Sequence, residues 1–175
     1  KMFNQALLAR QAWRLIANPD SLCARVLKSR YYPNGKLEDT VFSGNASSSW
    51  QAISHGLDLM KKGLLWRVGN GRSIRFWRGS WIPRPYSYKP ISQRGNCRIH
   101  FVADLLNENG AWKYGVLSRY FVQADVEGIM KIKPSPRLDG DTLAWGPGRL
   151  GMFSVKSAYN LALQETTRDN ETASS

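Results

Sequence analysis

Leu64-Leu-Trp-Arg-Val-Gly-Asn-Gly-Arg-Ser-Ile-Arg-Phe-Trp-Arg-Gly-Ser-Trp-Ile-Pro83 decides how the chain is read, because apolar and basic residues alternate through it on both sides of one glycine turn. A period of two is the mark of strands, and two such runs around a turn predict an antiparallel hairpin over Leu64–Trp77. With Gly69-Asn70-Gly71 as a three-residue loop, Val68 faces Arg72, Trp66 faces Ile74 and Leu64 faces Phe76. A two-residue Asn70-Gly71 loop would shift the pairing by one and mix arginines into the apolar face, so parity selects the longer loop, with Gly71 in the left-handed position. Leu64, Trp66, Val68, Ile74 and Phe76 are then expected inside. The opposite face carries Arg67, Ser73, Arg75 and Trp77.

Outward from the hairpin the charge becomes lopsided. The chain has 25 Lys and Arg against 13 Asp and Glu, a formal charge of +12, and no acidic residue lies between Leu59 and Ala103. An acid-free basic run with interleaved aromatics is suited to tracking a phosphate backbone. The expected contacts with RNA or DNA are Lys61, Lys62, Arg67, Arg72, Arg75, Trp77, Arg78, Arg84 and Lys89. Lys61 and Lys62 also sit in the last turn of an expected helix, where the macrodipole favours cations. Gly69-Asn70-Gly71 before Arg72 is only loosely like a phosphate-cradling loop, since no helix N-terminus follows.

No catalytic set is expected. Asp139 and Asp141 stand close together, but in a turn beside a hairpin they read as solvated turn residues. His55 and His100 have no nucleophile or acid at a telling spacing, and Cys23 and Cys97 lack the partners of a zinc or redox motif. Neither a cofactor nor a small-molecule substrate is implied. No apolar run approaches the ~20 residues that cross a bilayer. Without a secretory signal pattern, an intracellular location, in nucleus or cytoplasm, is expected.

The fold class expected is α+β: N-terminal helices, a central antiparallel β-hairpin, further helices and a second small hairpin. Leu8, Ala12, Leu15 and Ile16 recur at helical spacing, and Ser21 caps a second helix through Leu22, Val26 and Leu27. Residues 33–49 read as a loop holding a short strand at 40–42. A third helix starts from the Ser48-x-x-Gln51 box, with Trp50, Ile53, Leu57 and Met60 or Leu64 on one stripe. After Pro83 the two prolines of Arg84–Pro90 predict an extended strap. Helical patterns then begin at Phe101, at Trp112 and at Gln123, and Asp141–Val155 reads as the second hairpin. The division expected is a helical segment over 1–62, the basic hairpin and strap over 63–99, helices with the second hairpin over 100–165, and a disordered tail over 166–175.

Trp50-Gln-Ala-Ile-Ser-His-Gly-Leu-Asp-Leu-Met-Lys-Lys-Gly-Leu-Leu-Trp-Arg-Val-Gly-Asn-Gly71, followed by Ile74-Arg-Phe-Trp77 and Trp81-Ile-Pro83, resembles the segment after the reverse transcriptase domain in plant LINE-type (non-LTR) retrotransposon polyproteins. Phe3–Leu15 and Ala24–Pro33 resemble the opening of that segment, and Asp141–Trp145 with Gly151–Tyr159 its run-in to a zinc-binding module. The likeness extends to about Leu163. It departs at Arg78-Gly79-Ser80, where the family usually has an acidic residue between its tryptophans. The resemblance implies a fragment without the parent's polymerase aspartates, zinc cysteines or ribonuclease H carboxylates, with the polymerase and zinc-binding domains as neighbours. Three readings stay open: a nucleic-acid-binding connector, a structural spacer, and a nonfunctional remnant.

Overall fold

The computed structural model describes residues 1–40, 47–84, 87–135, 137 and 139–173. The chain is α+β, as expected, with six α-helices and a two-stranded antiparallel sheet among the described residues. It divides into two compact units, Lys1–Gly63 with Pro147–Ser175, and Leu64–Gly146.

The first unit is helical: α1 (Met2–Ala17), α2 (Leu22–Tyr31), α3 (Ser48–Gly63) and, from the far end of the chain, α6 (Val155–Ala173). Helix α1 packs on both α3 and α6. Its buried face is made of Ala6, Ala9, Ala12 and Leu15. These small side chains let α3 come close: a Cβ on Gly56 would lie 2.3 Å from the Leu8 carbonyl carbon and 2.5 Å from the Ala9 nitrogen. Aromatic pairs close the rest, with Trp13 stacked on Phe153 at 6.0 Å and Trp50 on Tyr31 at 4.3 Å. Ser21 caps α2 by accepting the Ala24 N–H at 3.3 Å. Leu22 and Val26 are exposed, and Ala24 is the buried residue of that helix. Helix α3 is capped one residue earlier than expected, the Trp50 N–H donating to the Ser47 hydroxyl.

The second unit holds β1 (Leu64–Arg67), α4 (Tyr114–Tyr120), α5 (Gln123–Met130) and β2 (Thr142–Trp145). Here the expected pairing is corrected. β1 does not fold back on Ile74–Phe76; it pairs with β2 in the register Leu64↔Trp145 to Arg67↔Thr142. The return segment pairs elsewhere: Arg75 is bridged to Phe101, the Phe76 N–H donates to the His100 carbonyl at 2.9 Å, and Val102 donates to Ile74 at 3.0 Å. The inside-outside assignment holds as far as Phe76, with Leu64, Val68, Ile74 and Phe76 buried, Trp66 half-buried, and Arg67, Ser73 and Arg75 exposed, but Trp77, expected outside, is half-buried against the core. Ile74 and Phe76 join Trp81, Ile82, Val102, Leu105, Leu117 and Ile129 in one core.

Three further expectations change. The second hairpin is absent, because after β2 the chain makes a 3-10 turn at Arg149–Gly151 and enters α6 at Val155. The pattern begun at Phe101 is a single 3-10 turn over Val102–Leu105, and the tail from Thr166 is helical to Ala173. The strand expected at 40–42 falls largely outside the described residues, as do Pro85 and Tyr86 of the strap.

Candidate nucleic-acid interface

Beyond β1 the backbone turns through Gly69–Ser73, and its amides converge on one carboxylate. The N–H groups of Gly69 and Gly71 both donate to Asp141 Oδ1 at 2.8 Å, and the Ser73 N–H donates to Asp141 Oδ2 at 2.8 Å. Successive backbone donors arranged this way form an anion-binding concavity. Its anion here is the protein's own. The glycines are required by close approach: a Cβ on Gly69 would lie 2.0 Å from the Asp139 carbonyl oxygen, and Gly71, at φ +72°, packs against the backbone of Ala103. Asp141 is therefore not the solvated turn residue expected from its spacing. Asp139, exposed and accepting a 3.2 Å hydrogen bond from the Ser135 hydroxyl, comes closer to that description.

With its amides engaged, the loop offers an external anion its side chains. Arg72, Arg75 and Arg78 are exposed, as are Arg67 at the end of β1 and Lys89. Lys61 and Lys62 lie in the helical unit, with Lys61 Nζ 3.4 Å from the Thr40 carbonyl and Lys62 Nζ in a 2.7 Å ion pair with Glu165. That pair is half-exposed, so it constrains Lys62 only weakly.

Two of the expected contacts are turned toward the protein. Trp77 is half-buried against the core, its ring 4.7 Å from Phe76 and 5.5 Å from Phe121, and its indole N–H donates to the Ile99 carbonyl at 2.9 Å. A ring held this way is packing rather than a platform for a base. Arg84 is turned inward to form an ion pair with the fully buried Asp125 and to donate to the Lys89 carbonyl at 2.9 Å. Burial pushes the Asp125 carboxyl up. Hydrogen bonds from the Ser92 hydroxyl, the Ser92 amide, Arg84 and the Ile91 amide more than offset this and hold it below its ordinary value. The Ser92 hydroxyl in turn accepts the Val122 N–H at 2.9 Å, tying the strap to the start of α5. A cation spent on a buried carboxylate is lost to a ligand.

Residues outside the expected set lie next to the arginine face. The bridge to Arg75 puts Phe101 beside it, and Phe101 is 40% exposed. Phe101 shares a cleft of about 500 Å³ with Arg98, His100 and Tyr120, and Tyr120 is 43% exposed. Helical periodicity placed Phe101 at the start of a helix. The signal against that was Asp104, whose carboxylate accepts the N–H groups of His100 and Phe101 at 3.1 and 3.0 Å, with Phe101 extended ahead of the turn.

Among the described residues no three His, Cys, Asp or Glu side chains lie together as a metal site would require, and no helix is long and apolar enough to cross a membrane. Cys23 is exposed and Cys97 buried, both unpaired as thiols.

The chain is similar to two proteins of Arabidopsis thaliana. One, the "Putative ribonuclease H protein", is 30% identical over 185 aligned positions covering 97% of this chain. The other, an "Uncharacterized mitochondrial protein", is 40% identical over 90 positions covering 51% of this chain. The chain spans 28% of the length of the first and the aligned part 58% of the second. No family model and no solved structure matches.

Proposed function

We propose that this chain is the connector segment of a plant LINE-type reverse transcriptase polyprotein, lying between the polymerase and the zinc-binding module, and that it holds nucleic acid by the backbone without catalysing a reaction. The similarity to a longer protein named for ribonuclease H supports the retroelement origin. One observation carries the binding reading: in the second unit every Lys and Arg except Arg84 is exposed, while three of the six carboxylates are engaged by the protein's own backbone amides. That unit has 13 Lys and Arg against 6 Asp and Glu. Asp104, Asp125 and Asp141 accept backbone N–H groups, and Asp125 also holds Arg84. Arg72, Arg75 and Arg78, close together in sequence, are exposed and form the basic face proposed here.

Such a face binds phosphate by counterion release and has little sequence preference, because no helix with base-reading side chains accompanies it. Three arginines on three phosphates contribute about −2.1 to −2.7 to the log–log slope of affinity against salt, from single strand to duplex. The test is fluorescence anisotropy of labelled RNA, DNA and hybrid duplex against the whole chain across a salt series. Arg72→Glu, Arg75→Glu and Arg78→Glu together should weaken binding to all sequences alike and flatten the slope by that amount. Absence of salt-dependent binding at micromolar protein would overturn the proposal and leave a spacer between neighbouring domains.

A further inference from the structure

We propose that the cleft bordered by Phe101 and Tyr120 is a binding site for an unpaired nucleobase, so that the second unit grips single-stranded RNA or DNA there while the arginine face holds the flanking phosphates. This rests on the nucleic-acid reading above and adds strandedness to it.

The geometry begins with the bridge between Arg75 and Phe101. Residues directly opposite in an antiparallel pair carry their side chains on the same side, with Cβ atoms about 4.5–5.5 Å apart. A cation from the arginine face and an exposed aromatic ring therefore emerge together. Phe101 borders the cleft, Tyr120 at the end of α4 lines it, and Cys97, Ile99 and Val116 supply apolar walls. At about 500 Å³ the cleft lies within the range of small-ligand sites, roughly 300–1,000 Å³. Two aromatic rings in water beside one cleft are what base stacking requires, and stacking is tolerant of base identity.

The charges select the ligand. Arg98 lines the same cleft, and the Arg119 guanidinium lies 5.5 Å from the centre of the Tyr120 ring. The one carboxylate lining it, Asp104, already accepts the His100 and Phe101 amides. An apolar ligand would gain nothing from those cations, whereas a nucleotide satisfies both parts, base to rings and phosphate to arginine. A base paired in a duplex keeps its faces stacked within the helix, so the site takes an unpaired one.

The experiment compares three labelled ligands on the whole chain: a short single strand, the same strand with abasic sugars in place of nucleotides, and a duplex, in ribose and deoxyribose forms. Phe101→Leu keeps apolar bulk and removes the ring, and Tyr120→Leu does the same at a more peripheral position. Each should lower affinity for the base-bearing single strand about 5- to 150-fold and leave the abasic strand, the duplex and the salt slope unchanged. A strand carrying a photoreactive uracil should cross-link to the peptides holding Phe101 or Tyr120. Wild-type affinity of both variants for the base-bearing strand, equal losses on all three ligands, or cross-links confined to other peptides would overturn the site. If the wild-type protein binds the duplex and the abasic strand in a salt-dependent way while the variants do not discriminate, this inference alone falls. If it binds none of the ligands, the nucleic-acid reading falls with it.

Discussion

Replacing Asp141 tests the structural link on which the arginine loop depends. Its carboxylate accepts three amides at 2.8 Å each, from Gly69, Gly71 and Ser73. Gly69 and Gly71 are buried and Ser73 is exposed, so only the last can turn to water when the acceptor is removed. Each buried donor left unsatisfied costs about 1–3 kcal/mol, which puts Asp141→Ala at about 2–6 kcal/mol. Asp141→Asn can still accept both glycine amides through its carbonyl, but it loses the charge and sets an amide donor against the Ser73 N–H. Its cost should be about 1–3 kcal/mol, the difference between charged and neutral hydrogen bonds. Asp139→Ala, which removes one exposed hydrogen bond, should cost less than about 0.5 kcal/mol. Urea unfolding of the whole chain gives the ranking, and hydrogen exchange at Gly69 and Gly71 shows whether the loss is local. If Asp141→Ala proved no more destabilising than Asp139→Ala, with the two glycine amides equally protected in both, the carboxylate would not be what shapes the loop.

Acid should act through Asp125: its folded-state value is depressed, so its contribution is fully present above the ordinary 3.8 and is lost as pH falls from there toward the folded value. Urea midpoints of the wild type should drop in that window, and Asp125→Asn should be destabilised by about 3–5 kcal/mol at neutral pH with this part of the pH dependence removed. At the contact of α1 with α3, Gly56→Ala should destabilise despite alanine's better helix propensity, by about 1–3 kcal/mol, because the new Cβ meets the backbone at Leu8 and Ala9. Gly115→Ala in α4, where nothing lies within 4 Å of the new Cβ, should stabilise by up to about 1 kcal/mol; thermal melts of the two variants moving in the same direction would contradict the packing argument.

The alternation through Leu64–Phe76 settled which side chains face inward before any partner was known, because successive side chains on a strand point to opposite faces whatever lies beside it. The same local chemistry placed Ser21 at the start of α2, Gly71 in the left-handed turn and the acid-free basic run on one stretch of chain. What residue order left undecided was the partner of each strand. Backbone N–H and C=O groups are alike at every residue, so β1 could satisfy them on the nearby return segment or on β2, more than seventy residues away. Asp141 engages the loop amides at the start of β2, and the return segment finds Phe101 instead. The same limit governed the candidate site. Arg84, Arg75 and Trp77 look equally available in a basic, aromatic run, but a buried carboxylate 41 residues further on claims Arg84 and the Phe76–Phe121 rings claim Trp77. Charge and amphipathicity are properties of residues in order; whether a cation meets water or a buried acid depends on which distant segment folds against it, and only the tertiary structure decides that.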